Sequence, residues 1–131
     1  KLGDAPIRWM LVDARKFVQR EVRRGRRYDV ILVDPPKFGR GPNNETWEIF
    51  EDLPDMMRNC AALVAGPQSA IVLTAYAIRA SALMLDQLCR EVLAGKGGRF
   101  ESGELAIREE VGARAVPTSL FTRWSGDDLK I

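Results

Sequence analysis

The sequence predicts a doubly wound α/β sheet with an antiparallel edge, and three observations predict it. Apolar, β-branched runs alternate with segments of helical periodicity along most of the chain. Two of these runs, Tyr28 to Val33 and Ala70 to Thr74, are almost continuously apolar, the pattern of parallel strands buried on both faces. The last two runs, Phe100 to Glu110 and Thr118 to Trp124, have no helix between them and are therefore expected to pair antiparallel.

Each element follows from local chemistry. Ile7 to Val12 is a short apolar run ending at Asp13, and Ala14, Phe17, Val18 and Val22 then recur at helical spacing, so a strand leads into a helix that Gly25 stops. Tyr28 to Val33 is the next strand. Asp34 to Asn44 holds three prolines and two glycines and reads as a loop. Helical spacing resumes through Trp47, Phe50, Leu53, Met57 and Leu63, with Pro54 expected to kink or split the helix and Gly66-Pro67 to end it. After the strand at 70–74, Ala80 to Leu93 is an amphipathic helix with Leu83, Leu88 and Val92 on its apolar stripe. The glycines of 95–98 lead into the two terminal strands, joined by a loop holding Gly112 and Pro117.

Composition narrows the function classes. A chain of 131 residues with 46% hydrophobic content holds one domain or part of one. No stretch approaches the roughly 20 apolar residues of a membrane-spanning helix, so no membrane partner is expected. Cys60 and Cys89 lie in helical patterns among apolar neighbours, with no histidine in the chain; they read as reduced structural thiols of a cytoplasmic protein, and no metal site is expected. The chain starts at Lys1 without a leader pattern, and a truncated start is expected. A net charge of +2 does not by itself mark a nucleic-acid binder.

In open α/β sheets ligands bind beyond the carboxyl ends of the parallel strands. Three segments fall there: Asp13-Ala14, Asp34-Pro35-Pro36-Lys37-Phe38 and Thr74-Ala75-Tyr76. The second is the most specific, because consecutive prolines stiffen the backbone where a carboxylate leaves its strand. A reacting group held this way loses little freedom on binding, as an in-line transfer requires.

Tyr28 to Phe38, read Tyr-Asp-Val-Ile-Leu-Val-Asp-Pro-Pro-Lys-Phe, resembles motif IV of class I S-adenosylmethionine-dependent methyltransferases, in the form found in the bacterial large-subunit ribosomal-RNA branch. Trp9 to Phe17 is similar to that family's motif III. The resemblance implies a Rossmann-like sheet of order 3-2-1-4-5-7-6 with helices on both faces, present here from strand three onward as the C-terminal portion of one catalytic domain over 1–131. Strands one and two and the glycine-rich loop would be missing. The run at 7–12 would then lie about three strand spacings, roughly 14 Å, from the run at 28–33 rather than pairing with it.

The same resemblance implies S-adenosyl-L-methionine as cofactor and RNA as substrate. Asp13 would accept from the adenine amino group, with the Ala14 amide facing the ring. Asp34 would stand by the methionine end and the incoming nucleophile, Pro35 and Pro36 would shape the wall, and Phe38 would stack on a base. No cysteine follows the strand at 70–74, which disfavours cytosine C5 chemistry; a base nitrogen needs only positioning and a carboxylate acceptor.

Simpler roles stand beside these. Asp13 is also a favoured helix N-cap, Asp34 with Pro35 and Pro36 can be simply a strand-ending turn, and Phe38 can fold onto the core. Lys37, Arg40, Tyr76 and Arg79 share the catalytic edge as candidate substrate contacts, or are solvated. Arg20, Arg23, Arg24, Arg26 and Arg27 form a basic cluster, but the topology puts them on the opposite edge, where the dipole of a helix end favours cations. A non-catalytic RNA-binding or interaction module on the same fold, or a nucleotide-binding ATPase fragment whose phosphate loop lies upstream, are the competing functions.

Overall fold

The structure, a computed structural model, describes residues 2–41 and 44–130. A short 3-10 turn at Leu2–Asp4 is followed by α1 (Ala14–Arg23), β1 (Val30–Val33), β2 (Phe38–Arg40), β3 (Thr46–Glu48), α2 (Ile49–Ala62), β4 (Ala70–Ala75), α3 (Ala82–Val92), β5 (Arg99–Arg108) and β6 (Ala115–Ser125). The main sheet has the order β1-β4-β6-β5, with β1 and β4 parallel and both β4–β6 and β5–β6 antiparallel. This is the 4-5-7-6 half of the expected sheet.

Side-chain spacing explains the layer above the sheet. Ile49, Leu53, Met57, Cys60 and Ala61 recur every three or four residues along α2 and are all buried, as are Leu85, Cys89 and Leu93 along α3 and just past it. They close on Ile71, Leu73 and Ala75 of β4 and on Trp124 of β6. Burying each large apolar side chain contributes about 1.5–3 kcal/mol relative to exposure. The helices form one continuous layer, α1 against α2 and α2 against α3. Gly98 has a positive φ of 86°, and a Cβ there would lie 2.5 Å from the Ser125 carbonyl oxygen; only glycine lets β5 start so close to the end of β6.

Several elements differ from the sequence reading. The run 7–12 forms no strand; its side chains are exposed, Leu11 fully so, and it makes no pairing with β1. An apolar run becomes a strand only where a neighbour supplies ladder partners, and none of the described residues does so. A second difference concerns β1, which is covered on one face only: Val33 is buried, while Val30 and Leu32 are exposed on the other, which no described helix covers.

Helix α2 begins at Ile49, after Trp47, because Glu48 caps it by accepting from the Phe50 and Glu51 amides. It runs unbroken through Pro54; the buried stripe on either side holds the helix despite the missing N–H. Helix α3 buries Leu85 and Cys89 and leaves Leu83 64% exposed, so the core face is turned by two residues from the expected stripe, although Leu88 and Val92 are partly buried. Pro117 lies within β6, opposite Ala106 beside a bulge, rather than in the preceding loop. Gly25, at φ 64°, ends α1 as expected.

Candidate functional site

The parallel register aligns Val33 with Leu73, so the next residues in line are Asp34 and Thr74. The Thr74 hydroxyl donates to Asp34 Oδ1, and Oδ2 has no partner among the described residues. The carboxylate is exposed at the mouth of a cleft of about 460 Å³. One wall carries Val12, Asp13 and Ala14; the other carries Leu32, Asp34, Pro35 and Pro36. The cleft therefore lies between the segments that the sequence reading separates by two strands.

Asp13 caps α1. Its Oδ1 accepts from the Lys16 amide at 3.0 Å, which satisfies one of the donors left open at a helix N-terminus. The capping role is thus established, and the carboxylate borders the cleft as well.

The loop after Asp34 is more ordered than its prolines and glycines suggest. β2 and β3 form a small antiparallel hairpin that closes the third side of the cleft with Gly39, Arg40, Gly41, Thr46 and Trp47. The Trp47 indole N–H donates to the Pro36 carbonyl at 2.6 Å, and the Ile49 amide donates to the Lys37 carbonyl at 3.1 Å, so the double-proline turn is held from behind. Arg15 locks the hairpin to α1, pairing with Asp52 at 2.7 Å and donating to the Thr46 carbonyl at 2.8 Å; Lys16 pairs with Glu45 at 2.5 Å. That hydrogen bond to Glu45 raises the Lys16 ammonium above its ordinary range.

The structure gathers Asp13, Ala14, Asp34, Pro35, Pro36 and Arg40 around one cleft. Lys37 and Phe38 do not line it; both are exposed beside it, Phe38 by 58%, so its ring does not fold into the core. Tyr76, 49% exposed, borders a separate, smaller cleft with Ala75, Ile78, Glu104, Pro117 and Leu120, and Arg79 is exposed and lines neither. The basic cluster lies at the far end of α1, where Arg20 and Arg24 approach Glu21 at 3.7 and 3.3 Å.

Three participants escaped the sequence reading. Thr74 was legible as a strand end, but its bond to Asp34 needs the register. Trp47 fitted a helical pattern and instead braces the loop. Arg15 looked like any helix-surface cation. Neither cysteine joins the site: both are buried, and burial pushes the Cys60 thiol up to about 11 and the Cys89 thiol up to about 12, which leaves them protonated at neutral pH. Among the described residues no three metal-ligating side chains cluster, and no helix is long and apolar enough to cross a membrane.

No protein-family model and no curated protein matches the chain. Among solved structures, a SAM-dependent methyltransferase from Agrobacterium tumefaciens is 50% identical with a TM-score of 0.88, over 95% of this chain and 41% of that one. A protein assigned as a methyltransferase and solved with SAH has a TM-score of 0.62 at 16% identity, over 87% of this chain and 30% of that one. A Streptococcus mutans protein assigned as a SAM-dependent methyltransferase gives 0.59 at 13%, with the same coverage of 87% and 30%. These last two share the fold. The chain thus spans well under two thirds of each of these proteins. The architecture is that of a Rossmann-like methyltransferase sheet.

Proposed function

We propose that this chain is the C-terminal portion of an S-adenosylmethionine-dependent methyltransferase domain that methylates a base nitrogen of RNA, ribosomal RNA being the substrate favoured by the Asp-Pro-Pro-Lys-Phe motif. The observation that carries the reading is Asp34: a carboxylate fixed through one oxygen by Thr74, stiffened by two prolines, and open through the other at the mouth of a cleft. The 50% identity to the Agrobacterium protein supports the cofactor.

The residues present fit one end of that cofactor. Val12 and Leu32 offer exposed apolar side chains on opposite walls, and Asp13 adds an acceptor at their margin, a combination suited to a purine with an exocyclic amine. Groups for the ribose and amino acid are expected from preceding strands, for which the edge of β1 left unpaired among the described residues and the unpaired segment 7–12 are the natural neighbours. When bound, S-adenosylmethionine supplies an electrophilic methyl group.

The chain's own residues do the rest. Asp34 Oδ2 accepts a hydrogen bond from the N–H of the acceptor base, orienting the nitrogen and taking up the positive charge that builds on it. Thr74 and the prolines keep that oxygen in place, so little ordering is left for the reaction itself. Phe38, exposed beside the cleft with Lys37 and Arg40, offers a stacking surface flanked by cations, the equipment for an unstacked base and its phosphate. Tyr76 and Arg79 extend this edge toward flanking nucleotides.

In the whole protein, Asp34→Ala is expected to lower methyl transfer to ribosomal RNA by at least about a hundredfold, the scale of a lost general base or charge-stabilising group. Binding of S-adenosylhomocysteine should change far less. Unchanged turnover would remove Asp34 from the mechanism.

A further inference from the structure

Strand β5 ends the sheet, paired with β6 on one side and with nothing among the described residues on the other. The β4–β6 ladder stops at Ala75 opposite Leu120, yet β5 and β6 continue, and side chains 104–118 are all exposed. An open edge of this length presents N–H and C=O groups ready for another strand.

The hairpin's own bonds show which groups these are. The Thr118 hydroxyl donates to the Leu105 carbonyl at 3.0 Å and the Glu109 amide to the Arg114 carbonyl at 2.8 Å, so the odd-numbered residues turn their backbone inward. Strand alternation then turns the backbone of Glu104, Ala106 and Arg108 to the open edge.

Two copies of one strand can pair antiparallel about a two-fold axis only when opposed residue numbers sum to an even value, because both members of a pair must face each other in the same sense. An axis therefore passes through a residue; one at Phe100 would leave only residues 99–101 of the strand to pair, one at Glu101 or Arg108 would oppose a charge to itself, and the sequence decides among the positions between. Centred on Ser102 or Gly103, no opposite charges meet. Centred on Glu104, that carboxylate opposes itself; on Leu105, Glu101 opposes Glu109; on Ile107, Glu104 opposes Glu110. Centred on Ala106, the smallest side chain of the segment after Gly103 lies on the axis, Leu105 faces Ile107 twice, and Glu104 faces Arg108 twice. Directly opposed pairs of these kinds stabilise a sheet, and like charges disfavour it.

We infer that β5 is the contact strand of a two-fold homodimer, in which a second copy of this chain adds its own β5 antiparallel about Ala106. The two sheets join edge to edge, and the apolar Leu105, Ile107 and Val116 of both hairpins gather on one face of the joined ribbon; Ile107 and Val116 are already cross-strand neighbours and are 70% and 64% exposed. The charges at 104 and 108, which would guard an edge if they were alike, become the register lock.

Sedimentation equilibrium of the protein carrying this chain tests the inference. The unaltered protein should be a dimer. Glu104→Arg and Arg108→Glu should each weaken self-association at least about tenfold, because each turns two attractive pairs into two repulsive ones. An equimolar mixture of the two variants should dimerise again, and so should the double variant Glu104→Arg/Arg108→Glu. A monomeric unaltered protein, single variants that associate as well as the original, or a mixture or double variant that stays monomeric would each overturn the inference. Should either single variant fail to fold, the neutral variants Glu104→Gln and Arg108→Gln replace it, each removing two attractive pairs: association as tight as in the unaltered protein would then overturn the inference.

Discussion

Asp34 owes its position to a hydroxyl on the neighbouring strand. Parallel pairing brings Thr74 alongside, and its hydrogen bond occupies one carboxylate oxygen while the other stays available at the cleft. A partner of this kind acts by orientation, so Thr74→Val should lower kcat by about ten- to a hundredfold with little change in KM for the cofactor. Thr74→Ser, which keeps the hydroxyl, should recover most of the loss; a valine variant with normal kcat would show that Asp34 needs no such support. The carboxylate and its two prolines were readable from sequence, since residue type and order alone mark a stiff strand end. Thr74 was not, because forty positions separate it from Asp34 and only the register joins them.

At the scale of elements, α1 has two roles that one residue can separate. Asp13 caps the helix and also borders the cleft, whereas Arg15 and Lys16 in its first turn hold the β2–β3 hairpin over the opposite side. Asp13→Ser keeps a good N-cap with a side chain too short to reach a ligand, so thermal stability should stay within about 0.5 kcal/mol while S-adenosylhomocysteine binding weakens. Asp13→Ala should lose both, with about 1 kcal/mol of stability. Equal ligand affinity in the serine variant, followed by calorimetry, would confine Asp13 to capping. The cap was legible because Asp before a helical run is a local signal. The hairpin was hidden: its strands are three residues each, set among prolines and glycines, and they persist through tertiary ties from Trp47 and Arg15 that no local pattern reveals.

For the molecule as a whole, alternation of apolar runs and helical segments sufficed to give the sheet, its parallel pair and its antiparallel edge, because burial of one face imposes periodicities of two and of three to four residues. What periodicity cannot show is whether a partner is at hand. The run 7–12 has the composition of a strand and lies exposed, and β1 has the composition of a fully buried strand and is covered on one face. The proposed methyltransferase domain would place further strands between them, and the cleft that separates them is where the cofactor is proposed to bind. The most direct measurement is a crystal structure of the whole protein with S-adenosylhomocysteine. The adenine amino group is expected within hydrogen-bonding distance of Asp13 and the homocysteine sulfur facing the turn at Asp34-Pro35; a ligand bound away from both carboxylates would rule out this site.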